Sequence, residues 1–192
     1  TKGSKEYLLE EKIPLNRIFL SGNTVVDAVI QNLALSERKT NLLEKINLKK
    51  DKYFLITLHR PENVDKKQKL DILMQSLKKV SEKYDYDLVW PLHPRTKKML
   101  EKFNLKIPEK IKVIEPVGYL GFLQLESNAR LIITDSGGVQ EEASILKVPC
   151  ITMRDTTERQ ETVDIGCNVV AGVGNNNLIK HVKDMLKNER NW

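Results

Sequence analysis

The chain has 192 residues, of which 40% are hydrophobic and 30% charged, and its formal net charge is +6. This composition suits a globular protein with a substantial core and excludes a disordered, collagen-like or membrane-spanning chain, since no apolar run approaches ~18 residues. The lysines alternate with apolar residues at helical spacing, which is typical of solvated helix faces and argues against a nucleic-acid-binding protein. A general positive field is compatible with an anionic small molecule.

The first fifty residues show no regular repeat. We expect a strand, a turn, an apolar helix and a charged connector, at residues 17–21, 22–23, 24–35 and 36–52 respectively. A lone strand and helix ahead of a regular repeat predict either the end of another domain or a pairing element.

From residue 53 onward, short apolar runs rich in β-branched residues alternate with amphipathic stretches. The predicted strands are residues 53–59, 87–93, 111–116, 130–135, 149–153 and 167–172. The predicted helices are residues 66–83, 94–103, 119–128, 138–147, 158–165 and 176–189, and residues 171–177 connect the last strand to the last helix. Apolar strands that alternate with helices indicate an α/β fold, a doubly wound and Rossmann-like parallel sheet covered on both faces.

Ligands of such a sheet bind outside the carboxyl ends of its strands, so the residues that follow each strand are the candidates for a site. His59-Arg60, His93-Pro94-Arg95, Asp135-Ser136-Gly137-Gly138 and the segment Arg154 to Arg159 stand at these positions. The convergence of two histidines, several arginines and a Gly-Gly turn on one edge predicts a binding site there.

The segment at residues 134–144 carries the strongest indication of a phosphate site. Gly137 and Gly138 lie between a buried strand and a helix start, where free N–H groups and the helix dipole favour a diphosphate. Ser136 is expected to cap that helix and to donate to a phosphate. Glu141 and Glu142 are expected in its first turn, with ribose hydroxyls as the natural partner of Glu142.

The other candidates have a structural alternative beside the functional one. His59 either hydrogen-bonds phosphate oxygens or simply ends a core strand, and His93 either joins it or starts a helix with Pro94. Arg154 and Arg159 suit bidentate phosphate binding, or they flank an ordinary helix cap. His181 is expected on the surface.

Neither a metal nor a disulfide is expected. Cys150 and Cys167 stand in apolar, strand-like runs, and their positions relative to His59 and His93 lack the spacing of metal ligands. Two buried thiols suit a reducing, cytoplasmic compartment. The glycine pattern matches neither Walker A nor GxGxxG, so ATP and NAD lose support as ligands.

In their order and spacing, six motifs resemble the non-hydrolysing UDP-N-acetylglucosamine 2-epimerases. They are SGNTVVDA (21–28), ITLHRPENVD (56–65), PLHPRT (91–96), EPVGYLGF (115–122), IITDSGGVQEEAS (132–144) and MRDTTERQETVDIG (153–166). The resemblance implies the C-terminal domain of a GT-B fold, with residues 1–45 as the end of the N-terminal domain and a connector, and residues 46–192 as the UDP-binding domain. It also implies a cytoplasmic homodimer of the full-length protein.

The family interconverts UDP-GlcNAc and UDP-ManNAc by eliminating UDP and adding it back, with no cofactor. The resemblance makes His59 a catalytic and UDP-contacting residue. The further substrate-binding residues that it implies are Phe122 near the uracil, Ser136, Gly137 and Gly138 at the diphosphate, Glu142 at the ribose and Arg159 at a phosphate. Arg60 and His93 match positions that some relatives use for a second, regulatory UDP-sugar.

Three departures from the family pattern matter. Val117 replaces a polar residue of some members, so a side-chain contact to the base is expected to be lost. Pro61 and the stretch HPRT at 93–96 differ from many members, so an epimerase of a modified UDP-hexosamine is an alternative. The donor-binding domain of a GT-B glycosyltransferase is another, although HRPEN and MRDTTERQET favour the epimerase. The acidic catalytic residues of the family lie in its N-terminal domain, so we expect this chain to be a fragment that is inactive alone.

Overall fold

A computed structural model describes residues 2–173, 177–187 and 190–192. Six parallel strands form one sheet with helices on both faces. The strands are β1 (Tyr53–Thr57), β2 (Asp87–Pro91), β3 (Ile111–Ile114), β4 (Leu131–Thr134), β5 (Cys150–Thr152) and β6 (Asn168–Val170). The predicted α/β, doubly wound and Rossmann-like class is therefore confirmed.

The helices alternate with these strands and extend ahead of them. They are α1 (Lys2–Glu10), α2 (Thr24–Lys39), α3 (Leu42–Lys45), α4 (Pro61–Val64), α5 (Lys67–Lys83), α6 (Pro94–Phe103), α7 (Tyr119–Asn128), α8 (Gly137–Ile145), α9 (Gln160–Asp164) and α10 (Leu178–Leu186). Leu15–Arg17 forms a short 3-10 turn. All six predicted strand and helix pairs are confirmed, whereas α1, α3 and α4 were not expected. Of the predicted last connection and helix, residues 174–176, 188 and 189 lie outside the described residues.

The predicted strand at residues 17–21 is wrong. Arg17 closes the 3-10 turn, residues 18–21 have no regular structure, and Phe19 is 84% exposed. An apolar run of this length forms a strand only where a neighbouring strand supplies hydrogen bonds, and this run has no such neighbour in the six-stranded sheet. The predicted helix at 24–35 is correct but continues to Lys39, four residues into the expected connector.

Both faces of the sheet are buried, which explains the continuous apolar runs. In β1, Phe54 and Ile56 contribute to the cluster beneath α5, α6 and α10. Tyr53 and Leu55 point to the opposite face and pack with residues of α7 and α8. Because side chains alternate between faces, a strand in the middle of such a sheet must be apolar at every position.

The strand order β3-β2-β1-β4-β5-β6 decides where a ligand can bind. The chain moves outward from β1 to β3 on one side and then returns to continue from β4 on the other. The crevice at such a reversal, outside the carboxyl ends of the strands, is where doubly wound sheets bind ligands. Thr57 pairs with Thr134 in the register of β1 and β4, so the residues that follow these two strands are neighbours.

The segment before β1 packs on one side of this domain. The hydroxyl of Ser36 in α2 donates to the carbonyl of Leu120 in α7 at 2.6 Å. The amide of Gln124 accepts from Leu42 N–H at 2.8 Å and donates to the carbonyl of Thr40 at 2.9 Å. These bonds fix the end of α2 and the start of α3 against α7.

Candidate functional site

Asp135, directly after β4, organises the crevice. Its side chain is fully buried, and its carboxylate accepts from the backbone N–H groups of His59 at 3.0 Å and of Arg60 at 2.9 Å. The side-chain amide of Asn63 also donates to it at 3.1 Å and donates to the carbonyl of Met153 at 2.8 Å. Asp135 and Asn63 together thus join the loops that follow β1, β4 and β5. Three donors compensate the burial of the Asp135 charge.

The two predicted histidines come together at this edge. The ring centroids of His59 and His93 are 5.1 Å apart with the planes inclined by 29°. His59 Nδ1 lies 3.5 Å from the Asp135 carboxylate, and His93 Nδ1 accepts from Arg95 N–H at 3.1 Å as the cap of α6. The structural alternative for His93 is therefore confirmed, because it caps a helix, while its role in binding phosphate beside His59 stays a prediction.

Burial lowers the pKa of His59 below its usual 6.5; Asp135 opposes this shift, while His93 and Arg60 act in the same direction as burial. A lowered pKa leaves the imidazole neutral near pH 7. A neutral imidazole ring has one N–H donor and one acceptor nitrogen. It can therefore donate a hydrogen bond to an anion without carrying a positive charge itself.

Helix α8 begins at this crevice, as predicted, with Gly137 and Gly138 as its first two residues. Ser136 is the N-cap residue, but the predicted cap hydrogen bond of its side chain is absent and the half-buried hydroxyl is not used by the helix. The prediction that Glu141 and Glu142 stand in the first turn is wrong, because α8 begins at Gly137 and places them in its second turn. The start of α8 therefore carries no acid of its own.

A carboxylate from another loop lies over that helix start. A Cβ built at Gly137 would collide with the carboxylate of Glu158, so glycine is required for this approach. Glu158 also accepts from Arg154 at 2.6 Å and lies 3.7 Å from Arg60. Partial burial opposes ionisation of Glu158, but its own backbone N–H and Arg154 outweigh it and lower its pKa. An anion therefore lies where the sequence predicts a phosphate, flanked by two arginines.

Glu141 pairs with Arg159. Its carboxylate lies 3.1 Å from Arg159 Nε and accepts from the side-chain amide of Asn23 at 2.8 Å. Asn23 is the N-cap of α2, so this carboxylate links α2 to the loop after β5. Arg159 itself is one-third exposed at the edge of the cleft.

A buried polar network supports the loop that carries these arginines. Thr157 donates to Gln140 of α8 at 2.5 Å and accepts from Arg159 N–H at 3.0 Å. Asn168 of β6 also donates to Gln140, at 3.2 Å, and accepts from Thr152 at 2.8 Å. The loop after β5 is therefore fixed to α8 and to the sheet, which keeps Arg154 and Arg159 beside the start of α8.

Glu142, on the other side of α8, contacts α7. Burial raises the pKa of Glu142 above the usual range, and hydrogen bonding with Tyr119 and Glu126 acts in the opposite direction. Burial and the negative charge of Glu142 raise the pKa of Tyr119 to about 12. Phe122, one turn after Tyr119, is half-buried against the core cluster on this face.

The predicted residues thus fall into two groups along one edge. His59, Arg60, His93, Ser136, Gly137 and Gly138 surround the crevice between β1 and β4, while Phe122 and Glu142 belong to the α7–α8 side. Sequence reasoning missed the central position of Asp135 and the contacts of Asn63, Glu158, Tyr119 and Glu126. The position of Asp135 after a buried strand was visible in the sequence, but its partners stand more than seventy residues away.

The described residues contain neither a membrane-spanning helix nor a cluster of metal ligands. None of their helices has the length and apolar character needed to cross a bilayer. No group of three or more histidine, cysteine or acidic side chains is placed to bind a metal in the described parts of the chain.

Comparisons with known proteins agree with this geometry. The model of the UDP-N-acetylglucosamine 2-epimerase family matches residues 1–192. A UDP-N-acetylglucosamine 2-epimerase from Methanocaldococcus jannaschii is 53% identical over 198 aligned residues, which cover 100% of this chain and 54% of the relative. The chain therefore spans about half the length of the curated relatives it matches.

Solved structures give the same result. The crystal structure of Methanocaldococcus jannaschii UDP-GlcNAc 2-epimerase in complex with UDP-GlcNAc and UDP is similar with a TM-score of 0.92 and 53% identity, covering 100% of this chain and 54% of that one. The epimerase from Neisseria meningitidis bound to UDP-GlcNAc is similar with a TM-score of 0.85 and 34% identity, covering 96% and 51%. The whole sheet and its helices thus correspond to one half of a GT-B epimerase structure.

Proposed function

The chain belongs to the UDP-N-acetylglucosamine 2-epimerase family, and from that premise we propose that it supplies the UDP-binding half of an enzyme that interconverts UDP-GlcNAc and UDP-ManNAc. The single observation that supports this most directly is the convergence of His59, two arginines and the start of α8 at the β1–β4 crevice. A nucleoside diphosphate needs such a combination of N–H donors, positive charge and a helix N-terminus.

We propose that the diphosphate takes the position over Gly137 where the Glu158 carboxylate lies. Binding would then displace Glu158 and release both Arg60 and Arg154 from it, so that Arg154 can face the phosphate oxygens. The unused hydroxyl of Ser136 and the N–H groups at the start of α8 would complete the phosphate site. Arg159, one-third exposed beside the loop, would supply a further contact.

The remaining substrate contacts follow along the same edge. Glu142 would accept from the ribose hydroxyls, and Phe122 would pack near the uracil. His59, neutral near pH 7 and supported by Asp135, would hydrogen-bond the diphosphate as its bond to the sugar breaks. Stabilising the charge that develops on departing UDP favours elimination, and the same contact assists its return.

Residues 1–45 would form the end of a preceding domain and the connector. Their exposed apolar side chains support this, because large apolar side chains are usually buried. A group of exposed ones indicates a surface that packs against another part of the protein. The exposed side chains are those of Tyr7, Leu8, Leu9, Leu15, Phe19, Leu20, Val26 and Ile30. The full-length enzyme would be a cytoplasmic homodimer, with Arg60 and His93 available to a second, regulatory UDP-sugar.

The experiment is calorimetric titration of the 192-residue chain with UDP. We expect binding, and we expect H59A and R159A each to weaken it by roughly tenfold, the size of one lost phosphate contact. H181A and R38A are matched controls, since His181 lies in α10 and Arg38 is on the exposed part of α2. Unchanged affinity in both site variants would refute the site.

Turnover provides a second test. The resemblance assigns the catalytic carboxylates to a domain outside this sequence, so the 192-residue chain is expected to bind UDP without converting UDP-GlcNAc. Proton NMR of the C2 configuration of the sugar would detect conversion. Epimerisation by the purified chain would contradict the assignment of the catalytic carboxylates to another domain. It would place the required acid groups within residues 1–192.

A further inference from the structure

A buried acid on α7 takes no part in the site as described so far. Glu126 is 0% exposed, and neither of its carboxyl oxygens accepts from an N–H or O–H donor among the described residues. An ionised carboxylate without donors is very unfavourable inside a protein, because it loses its hydration and gains nothing in return. The carboxyl group of Glu126 must therefore be protonated or share a proton with a neighbouring group.

That neighbouring group is Glu142. Burial raises the pKa of Glu126 well above the usual range, and the charge of Glu142 and a hydrogen bond between the two carboxyl groups act in the same direction. With both groups ionised, the pair would be two acceptors without a proton. With one proton on Glu126, its O–H donates to Glu142, which keeps its charge and also accepts from Tyr119.

The side chains around the pair leave the proton on Glu126. Tyr53 on β1 and Cys150 on β5 lie near Glu126, and both are neutral groups whose pKa burial raises; a negative charge on Glu126 would raise it further. The negative charge of Glu141, on the same helix, raises the pKa of Glu142 further. Tyr53, Cys150 and Glu141 are all acidic or neutral, so none of these three groups stabilises a second negative charge on the pair.

We propose that Glu126 is a positioning residue for ribose recognition, which carries a proton at neutral pH and donates it to Glu142. The proton orients the Glu142 carboxylate and leaves it charged, with lone pairs free for the two ribose hydroxyls. This inference rests on the function proposed above, in which Glu142 is the ribose-binding residue. It adds that the specificity for ribose depends on a second acid that never touches the substrate.

Two substitutions of similar size distinguish the hydrogen-bonding role of the Glu126 proton from the role of the side chain in packing. In E126Q, an amide N–H replaces the carboxyl O–H and can still donate to Glu142. In E126M, a side chain of similar length has no donor. A purely structural role for Glu126 would tolerate methionine in an apolar surrounding at least as well as glutamine.

The first readout is the ratio of affinities for UDP and 2′-deoxy-UDP, measured by calorimetry near pH 7. We expect the wild-type chain and E126Q to prefer UDP by a similar factor. We expect E126M to lose roughly tenfold of that preference, as for one lost charge-assisted hydrogen bond, with its affinity for 2′-deoxy-UDP nearly unchanged. An E126M protein that is folded by circular dichroism and retains the full preference overturns the proposal.

The second readout needs no nucleotide. A carboxyl whose pKa is raised in the folded state contributes stability that is lost as the pH rises from its unfolded value through its folded one. As the pH rises from about 5 to about 8, the melting temperature of E126Q should therefore increase relative to that of the wild type. A constant difference shows that Glu126 is ionised throughout and overturns the proposal.

The two readouts keep this inference apart from the proposed function. If the wild-type chain binds no UDP, the proposed function fails and the ribose role fails with it, while the melting profile still decides whether the proton lies on Glu126. If it binds UDP and 2′-deoxy-UDP equally, UDP binding stands and the ribose role of the pair is refuted.

Discussion

Replacement of Asp135 by asparagine tests the centre of the site. The carboxylate is fully buried and receives the N–H groups of His59 and Arg60 and the side-chain amide of Asn63. Asparagine has almost the same shape but only one acceptor oxygen. If that oxygen takes the Oδ2 position, Arg60, Asn63 and the His59 N–H, which is 3.1 Å from Oδ2, retain an acceptor, but an NH2 group replaces the Oδ1 that the His59 N–H also contacts. In the opposite orientation, two donors face the NH2 group instead.

In either orientation the variant loses the charge that strengthens these hydrogen bonds and sets an NH2 group against at least one buried N–H donor. Each effect costs about 1–3 kcal/mol, so D135N should be less stable by about 2–6 kcal/mol. For a chain of this length, each kcal/mol lowers the melting temperature by about 2–4 °C, so a fall of at least about 4 °C is expected. UDP should also bind more weakly, because the loop carrying His59 loses its fixed position.

Differential scanning calorimetry measures the first effect and isothermal titration the second. D65N is the matched control, because Asp65 is also an aspartate bound to a side chain, Arg95, but lies on the surface. Surface ion pairs contribute little to stability, so D65N should melt close to the wild type. A D135N protein that melts together with D65N and binds UDP normally would show that Asp135 does not organise the crevice.

Two further predictions concern the charges around the start of α8. E158Q removes the anion that lies against Gly137, so we expect it to bind UDP several-fold more tightly by calorimetry; weaker binding would mean that Glu158 orients Arg154 for the ligand instead. The NMR titration of the His59 ring should give a pKa below 6.5 in the free protein. UDP should raise that value, because a nearby diphosphate stabilises the protonated ring, and a pKa that UDP leaves unchanged would place the phosphates away from His59.

The amino-acid sequence determined the repeating part of this fold. Strands buried on both faces must be apolar at every position, and helices on a sheet must be apolar on one side, so the runs from residue 53 onward left little choice of structure. The same local information failed before residue 53. Residues 17–21 have the composition of a strand, but hydrogen bonding in a sheet needs a neighbour that local sequence does not reveal.

The sequence also located the crevice, since residues that follow parallel strands share one edge of the sheet. Only the tertiary structure decided which of them meet. Asp135 contacts His59 because β4 lies beside β1, and that adjacency comes from the strand order. The burial of Glu126 was equally invisible, because an acid in an amphipathic helix normally faces water. Its pairing with Glu142 depends on how α7 packs against α8, which long-range contacts determine.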